Sequence, residues 1–481
     1  MSVPFPPLVL LLVVIWPLLL AGSMLFRTTR PVALSLSPWA ALPALILAAL
    51  LPLDVSLHLP WLLLGSEFGL VDDITRLFLL FTALLWWLSG IYARHYFSDH
   101  FGQIRFFIYF LLSMSGNLGL ILAQDMGSFY LFFALMSFAS YGLVVHEYSS
   151  RALHAGRVYI VLVVIGEVAL FVAMAMADAA TGSIEFDTVR HGLAQAASRD
   201  TIILLAFVGF GIKAGVLGLH VWLPLAHPVA PTPASAVLSG AMINAGLLGW
   251  LNLLPIGEAA LLAWGDVFMI FGLAAAFYGV VVGLTQREPK TLLAYSSISQ
   301  MGIMTTAVGL SLTVPEASQV ILSIIALYAL HHGLSKGALF LGVGVLGACS
   351  GTQRRWAWLA MWLPALALAG APLTSGMVVK VLLKSQTLHA SAPWDTLLPI
   401  LLSASSVATA LLMVRLLYLL RPTACSSNTP RVVALVWPWM ATLLAGLLLT
   451  WWLVPTIPGQ LGMHIVTPSP TAQCIIHKEV K

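Results

Sequence analysis

The sequence predicts an all-α polytopic membrane protein of about fourteen transmembrane helices. Three observations predict it. Of the 481 residues, 60% are hydrophobic and 8% charged, against about 25% charged in soluble domains. The apolar residues gather in runs near the roughly 20 residues that a helix needs to cross a bilayer, too long and continuous for the strands of a membrane barrel. The loop charges alternate in sign from one loop to the next. No stretch leaves room for a sizeable soluble domain.

In chain order, the expected spans lie near residues 5–25, 31–53, 74–93, 105–123, 127–146, 157–177, 201–222, 233–255, 260–284, 291–311, 318–345, 357–383, 395–420 and 432–455. The first run follows no basic segment and is long for a signal core, so it reads as a retained span. Alternate loops carry Arg27 and Arg30, Arg94 and Arg105, Arg151 and Arg157, Arg287 and Lys290, Arg354 and Arg355, then Arg421 and Arg431. The intervening loops carry Asp54, Glu67, Asp72 and Asp73, then Asp178, Glu185 and Asp187, then Glu258 and Glu316. Basic loops stay in the cytoplasm. Both termini are therefore expected on the outer, periplasmic side, which an even number of spans requires. The net charge of +4 is distributed as a topology signal and gives no reason to expect nucleic-acid binding.

Cys349, Cys425 and Cys474 are far apart and form no metal or cluster motif. No glycine-rich phosphate loop precedes a helix in a nucleotide-binding context. No cofactor, redox centre or metal is expected in this chain.

Few ionisable residues remain within the spans. Glu167 lies near the middle of span six, and Lys213 in span seven, within a run that continues through His220, Pro224, His227, Pro228, Pro231 and Pro233. Span eleven carries His331, His332 and Lys336; span twelve carries Lys380, beside Pro372 and Gly376, with Lys384 one turn later. A charge and a broken helix at membrane depth are both costly, and together they point to function. The bland readings are that His220 and His227 pack as structural histidines, that Lys384 reaches the outer interface and Arg415 the inner one, and that the remaining lysines form structural charge pairs. His332 and Lys336 stand four apart on one helical face, so a proton could pass between them. His331 and His332 point about 100° apart and could not ligate one iron together. Lysines beside Gly/Pro breaks in spans seven and twelve suggest two inverted units with ion sites at the breaks. The organisation expected is residues 1–104 for helices 1–3, 105–256 for a first repeat, 257–422 for a second, and 423–481 for helix 14 and a short polar tail.

Lys213-Ala-Gly, His220-Val-Trp-Leu-Pro-Leu-Ala-His227, Ala230-Pro-Thr-Pro-Ala-Ser-Ala236 and Leu238-Ser-Gly240 resemble the antiporter-like proton-translocating membrane subunits. These occur in complex I, in Mrp-type cation/proton antiporters and in group 4 membrane-bound hydrogenases. Lys290-Thr-Leu-Leu-Ala-Tyr-Ser-Ser-Ile-Ser-Gln-Met-Gly302, His332 to Leu341 and Pro372 to Lys380 match further signatures of the family. The resemblance covers essentially the whole chain and is strongest over residues 105–385. It implies fourteen helices, two inverted five-helix repeats and broken helices 7 and 12. It also implies roles: Lys213 as the central lysine of the first half-channel, His332 and Lys336 as the bridge between halves, and Lys380 as the outward-releasing residue. Two departures stand out. Ala134 occupies the position of the family's usual glutamate, and Asn244 that of a frequent lysine or histidine. Glu167 is a candidate replacement partner for Lys213.

The leading expectation is a proton- or Na+-translocating subunit of a redox complex or Mrp-type antiporter, with no chemistry of its own. It would work beside other membrane subunits and a peripheral cytoplasmic module in a prokaryotic plasma or inner membrane. Two alternatives remain: a proton channel energising a non-redox partner such as inorganic-carbon uptake, and a structural membrane subunit that no longer pumps.

Overall fold

A computed structural model describes residues 7–60, 62, 65–97, 100–422 and 432–453. Cys425, Arg431, Cys474 and the polar tail lie outside these. The chain begins with α1 (Val9–Ser23), α2 (Arg30–Leu36) and α3 (Leu42–Leu50), then a hairpin of β1 (Val55–Leu59) and β2 (Ser66–Leu70). Helices α4 (Asp73–Tyr96), α5 (His100–Leu122), α6 (Met126–Val144) and α7 (Ser150–Thr181) follow, with a short α8 (Phe186–Leu193). Span seven divides into α9 (Arg199–Ala214) and α10 (Trp222–Val229). Span eight comprises α11 (Thr232–Val237), a π-helical turn and α12 (Asn244–Leu253). Next come α13 (Leu262–Thr285), α14 (Pro289–Thr313) and α15 (Ser318–Ala348). Span twelve divides into α16 (Gly351–Ala360), α17 (Trp362–Ala369) and α18 (Ser375–Gln386), and the fold closes with α19 (Trp394–Leu419) and α20 (Val432–Leu453).

Every expected span coincides with a helix or with the pieces of one. Among the described residues, ten helical segments are long and apolar enough to cross a membrane. The others are short, like the 15-residue α1, interrupted, like spans seven and twelve, or rich in hydroxyls, like α14. The chain is a multi-pass, predominantly helical membrane protein.

Local chemistry sets the helix ends. The Asp72, Asp125 and Ser149 side chains accept the backbone N–H of Thr75, Ser128 and Ala152, capping α4, α6 and α7. Gly182, at φ 70°, closes α7 in the left-handed conformation that favours glycine.

Two features differ from the sequence reading. The loop near Asp54–Asp73 contains an antiparallel hairpin, pairing Val55 with Leu70 and Leu59 with Ser66. Asp125, fully buried, fastens it by accepting the Glu67 N–H at 2.8 Å. Five-residue strands leave too little hydropathy signal to stand out beside spans of twenty. Second, span seven first breaks at Gly215 (φ 77°), not at Pro224. Pro224 sits in the first turn of α10, where a missing N–H leaves no hydrogen bond unmade. Pro231 lies between α10 and α11, Pro233 opens α11, and Pro372 lies in the break before α18.

The centre of the molecule is α15, which packs against α4, α11, α14, α18 and α20. The stretch from Thr232 to Leu251 beside it is wholly buried. Helices associate in lipid through close packing of small residues. Gly240 and Gly333 illustrate this, each placed so that an added Cβ would strike the other's carbonyl oxygen. The faces of α7, α13 and α19 that carry Val168, Phe171, Val281 and Val407 are exposed, as expected of surfaces solvated by lipid.

Replacing Gly333 by alanine should overpack this junction and destabilise the fold by about 1–3 kcal/mol, read as a lowered thermal unfolding midpoint in detergent. Gly347→Ala, where nothing lies within 4 Å of the added methyl, should leave the midpoint unchanged or higher. Asp125→Ala removes the carboxylate that holds both the hairpin and the start of α6. It should lower stability by about 2–5 kcal/mol in the same assay.

Candidate functional site

The site is a row of ionisable residues along the bundle's interior, each positioned by a helix break or a close helix contact. At one end, Lys213 occupies the last turn of α9 just before Gly215. It is 3% exposed. Its ammonium group donates to the Tyr159 hydroxyl at 3.2 Å and the Ser137 hydroxyl at 3.4 Å. It also lies over the rings of Tyr159 and Trp222, at 5.7 and 6.0 Å from their centroids, where a ring quadrupole attracts a cation. Glu167 on α7 is buried beside Lys213 and is electrostatically coupled to it. Among the described residues the two do not close an ion pair within 4.0 Å. Ala134 lies one helical turn from Ser137 on α6, and the oxygens that Lys213 meets from α6 and α7 are hydroxyls.

His220 lies in the break itself. Its Nδ1 accepts the Gly218 N–H at 3.2 Å, and its ring meets the edge of Tyr278. This contact supports the turn. His227, on α10, is fully buried and stacks on Phe340 at 4.7 Å, with no protein partner on either ring nitrogen. It lies in the field of both Lys290 and Lys336. Asn244 donates to the Gly240 carbonyl at 2.9 Å, while its Oδ1 is left without a partner.

Lys336 and His332 sit at the centre of α15, both fully buried. The Lys336 ammonium group donates to the Leu293 carbonyl at 3.0 Å. Both ring nitrogens of His332 lack protein partners. The expected face-sharing of His332 and Lys336 places them as electrostatic neighbours, and no direct hydrogen bond joins them. Buried polar atoms without protein partners are usually satisfied by internal water, and these lie where a relay would need it.

Lys380 donates to the carbonyls of Leu368 and Ala369 at 3.1 and 2.9 Å. These are end carbonyls of α17, freed by the break at Gly370 (φ 83°), where a cation is favoured. Lys380 borders a cavity of about 250 Å³ lined also by Met377, Lys384, Ser403 and Ser406. Lys384 is exposed and donates to Ser403 at 3.1 Å.

Three residues gain weight that their sequence positions did not give them. His331, weighed only as a haem ligand, directs Nδ1 to the Ser375 hydroxyl at 2.9 Å and is electrostatically coupled to Lys380. It links α15 to the second break. Lys290, read as a loop charge, donates to the Ala230 carbonyl at 2.7 Å and so ties α14 to the break between α10 and α11. Tyr159 touches Lys213 directly. The adjacency of the two histidines signalled the first; for the other two only the tertiary contact distinguishes them from ordinary loop and core residues. Further buried polar contacts join neighbouring helices: Ser239 to Ser297 at 2.7 Å, Tyr328 to Gln300 at 2.9 Å, and Gln300 to Thr409 at 3.1 Å. Among the described residues no three His, Cys, Asp or Glu side chains converge as a metal site.

Comparison with known proteins bears on the family and the fold. The family described as NADH:quinone oxidoreductase/Mrp antiporter, transmembrane, matches residues 123–409, more than half of the chain. Hydrogenase-4 component B of Escherichia coli (strain K12) is 32% identical over 289 residues, 57% of this chain and 43% of that protein. A putative antiporter subunit mnhA2 of Staphylococcus saprophyticus is 32% identical over 358 residues, 68% of this chain and 44% of that protein. The chain thus spans less than half the length of these relatives. A chain in the structure of the Mrp complex from Dietzia sp. DQ12-45-1b superposes with a TM-score of 0.77 at 20% identity, covering 97% of this chain and 98% of that one, which shows a shared fold. The family match, the relatives and the row of buried basic residues agree: the chain belongs to the NADH:quinone oxidoreductase/Mrp antiporter family of transmembrane proteins.

Proposed function

We propose that this chain is the proton-translocating membrane subunit of a larger complex of hydrogenase, Mrp or complex I type. Protons would pass along Lys213, Glu167, His227, His332 and Lys336 to Lys380 and leave by the cavity at Lys384. The carrying observation is that Lys213, Lys336 and Lys380 each rest on neutral oxygens rather than in ion pairs. A lysine locked to a carboxylate is held charged, whereas one bound to carbonyls and hydroxyls in a low-dielectric interior can lose and regain its proton. His331 extends the relay toward Lys380, and His220 serves the turn. Fourteen spans in two inverted five-helix units, with outward-facing termini, complete the reading. On this reading the chain has no reaction of its own; the driving energy would come from partner membrane subunits and a peripheral module.

Ala134 and Asn244 favour one competing reading, a structural subunit whose first half-channel is silent. The purified complex in liposomes separates the two. Lys213→Ala and Lys380→Ala should each reduce driven proton uptake to background while the complex assembles at normal yield. Wild-type uptake in both variants would reject translocation through this chain.

A further inference from the structure

We propose that Ser297 and Ser239 are positioning residues for Lys336: their paired hydroxyls form a hydrogen-bond switch that follows the charge on its amine. The proposal rests on the translocation reading above and names what sets the hold on its central lysine.

Three of the sequence signatures meet at one oxygen. Lys336 on α15 and Ser297 on α14 both donate to the Leu293 carbonyl, each at 3.0 Å. Ser297 stands four positions after Leu293 in a continuous α-helix, so its backbone N–H is directed at the same carbonyl. Three donors thus converge on an oxygen with two lone pairs. The Ser297 hydroxyl has an alternative. It lies 2.7 Å from the Ser239 hydroxyl, and either can donate to the other. Lys336, Ser297 and Ser239 are all fully buried, so bulk water does not compete for these bonds. Ser239 sits in the π-helical turn of span eight, next to Gly240, which packs closely on Gly333 of α15. Such packing leaves the backbones little room to shift, whereas hydroxyl hydrogens rotate to suit their partners.

Two hydrogen arrangements follow. With Lys336 charged, its ammonium takes the Leu293 carbonyl, because a charged donor makes the stronger bond. The Ser297 hydroxyl then donates to Ser239, and Ser239 turns its own hydrogen to a carbonyl of the preceding turn, as helical serines do. With Lys336 neutral, the Ser297 hydroxyl returns to the Leu293 carbonyl and accepts from Ser239. Each serine keeps its own hydrogen throughout; only the proton on Lys336 comes and goes. Ser239 therefore favours the charged lysine by drawing Ser297 away, and Ser297 favours the neutral lysine by taking its acceptor. The ionisable groups facing Lys336 are His332 on its own helix and His227 on α10. Lys290 on α14 and Lys380 on α18 are held by other carbonyls. The ionisable groups of α4 lie near its ends, and α11, α20 and the π-helical turn carry none.

The experiment measures driven proton uptake against pH for the intact complex in liposomes, with assembly and thermal stability followed for every variant. Ser297→Ala leaves the carbonyl to Lys336 and favours its charged form. The midpoint of the pH profile should move alkaline by about half a unit to one unit, the worth of one buried hydrogen bond. Ser297→Cys, a weaker donor, should move it the same way by less. Ser239→Ala leaves Ser297 only the carbonyl, so the midpoint should move acid by a similar amount. The double variant should follow Ser297→Ala, because Ser239 acts only through Ser297. General structural damage gives no such pair of opposite shifts. Shifts in one direction, an unmoved midpoint in either alanine variant, or a double variant that follows Ser239→Ala would overturn the switch. Lys336→Ala is the control: wild-type uptake there rejects translocation through Lys336 itself, whereas lost uptake with unmoved midpoints in the serine variants rejects only the switch.

Discussion

The constraint on which the rest of the structure depends is that no water surrounds the backbone or the charges at membrane depth. Every polar group there must be satisfied within the protein. This molecule meets two such demands with one device. Interrupting a helix exposes carbonyls, and an ammonium group needs oxygens. Lys380 rests on the end carbonyls of α17 beside Gly370, and Lys290 on the carbonyl of Ala230 between α10 and α11. Each break is stabilised by a cation, and each cation is held without an acid. A helix terminus carries only a partial negative charge, so such a lysine is held less firmly than in an ion pair.

Around that device the packing is tight where helices must cross. Gly240 against Gly333 brings the π-helical turn of span eight into contact with α15. The unpartnered nitrogens of His332 lie on α15 and the unpartnered oxygen of Asn244 on α12, which continues the π-helical turn. Rigid backbone and unsatisfied side chains are thus interleaved along the axis. The outer faces are apolar and the ends are tied by caps and by the hairpin at Asp125. This division keeps conformational freedom with the side chains that would exchange protons.

Spans seven and twelve hold their lysines with different residues. In the second, His331, Ser375 and Lys380 connect α15 to the break in span twelve. In the first, hydroxyls from α6 and α7 hold the lysine. Its nearest carboxylate comes from α7, in the middle of a helix whose other face is exposed to lipid.

The apolar runs and alternating loop charges determined that this chain is a multi-pass helical membrane protein, because hydrophobic length and charge asymmetry are linear properties that a bilayer reads directly. The same reading located Lys213, His332, Lys336 and Lys380, since a charge inside a twenty-residue apolar run is conspicuous without any fold. It missed the hairpin, whose strands are too short to register beside the spans. It also placed the first break at proline when the chain turns at Gly215, because proline at the start of α10 is compatible with the helix and a left-handed glycine leaves no sequence mark of its own. What only the tertiary structure decided is which oxygen each lysine touches. Ser137 and Tyr159 stand 76 and 54 residues away from Lys213, and nothing in their local sequence distinguishes them from other residues of apolar helices. Their roles come from helix packing, which brings them within reach of one buried ammonium group.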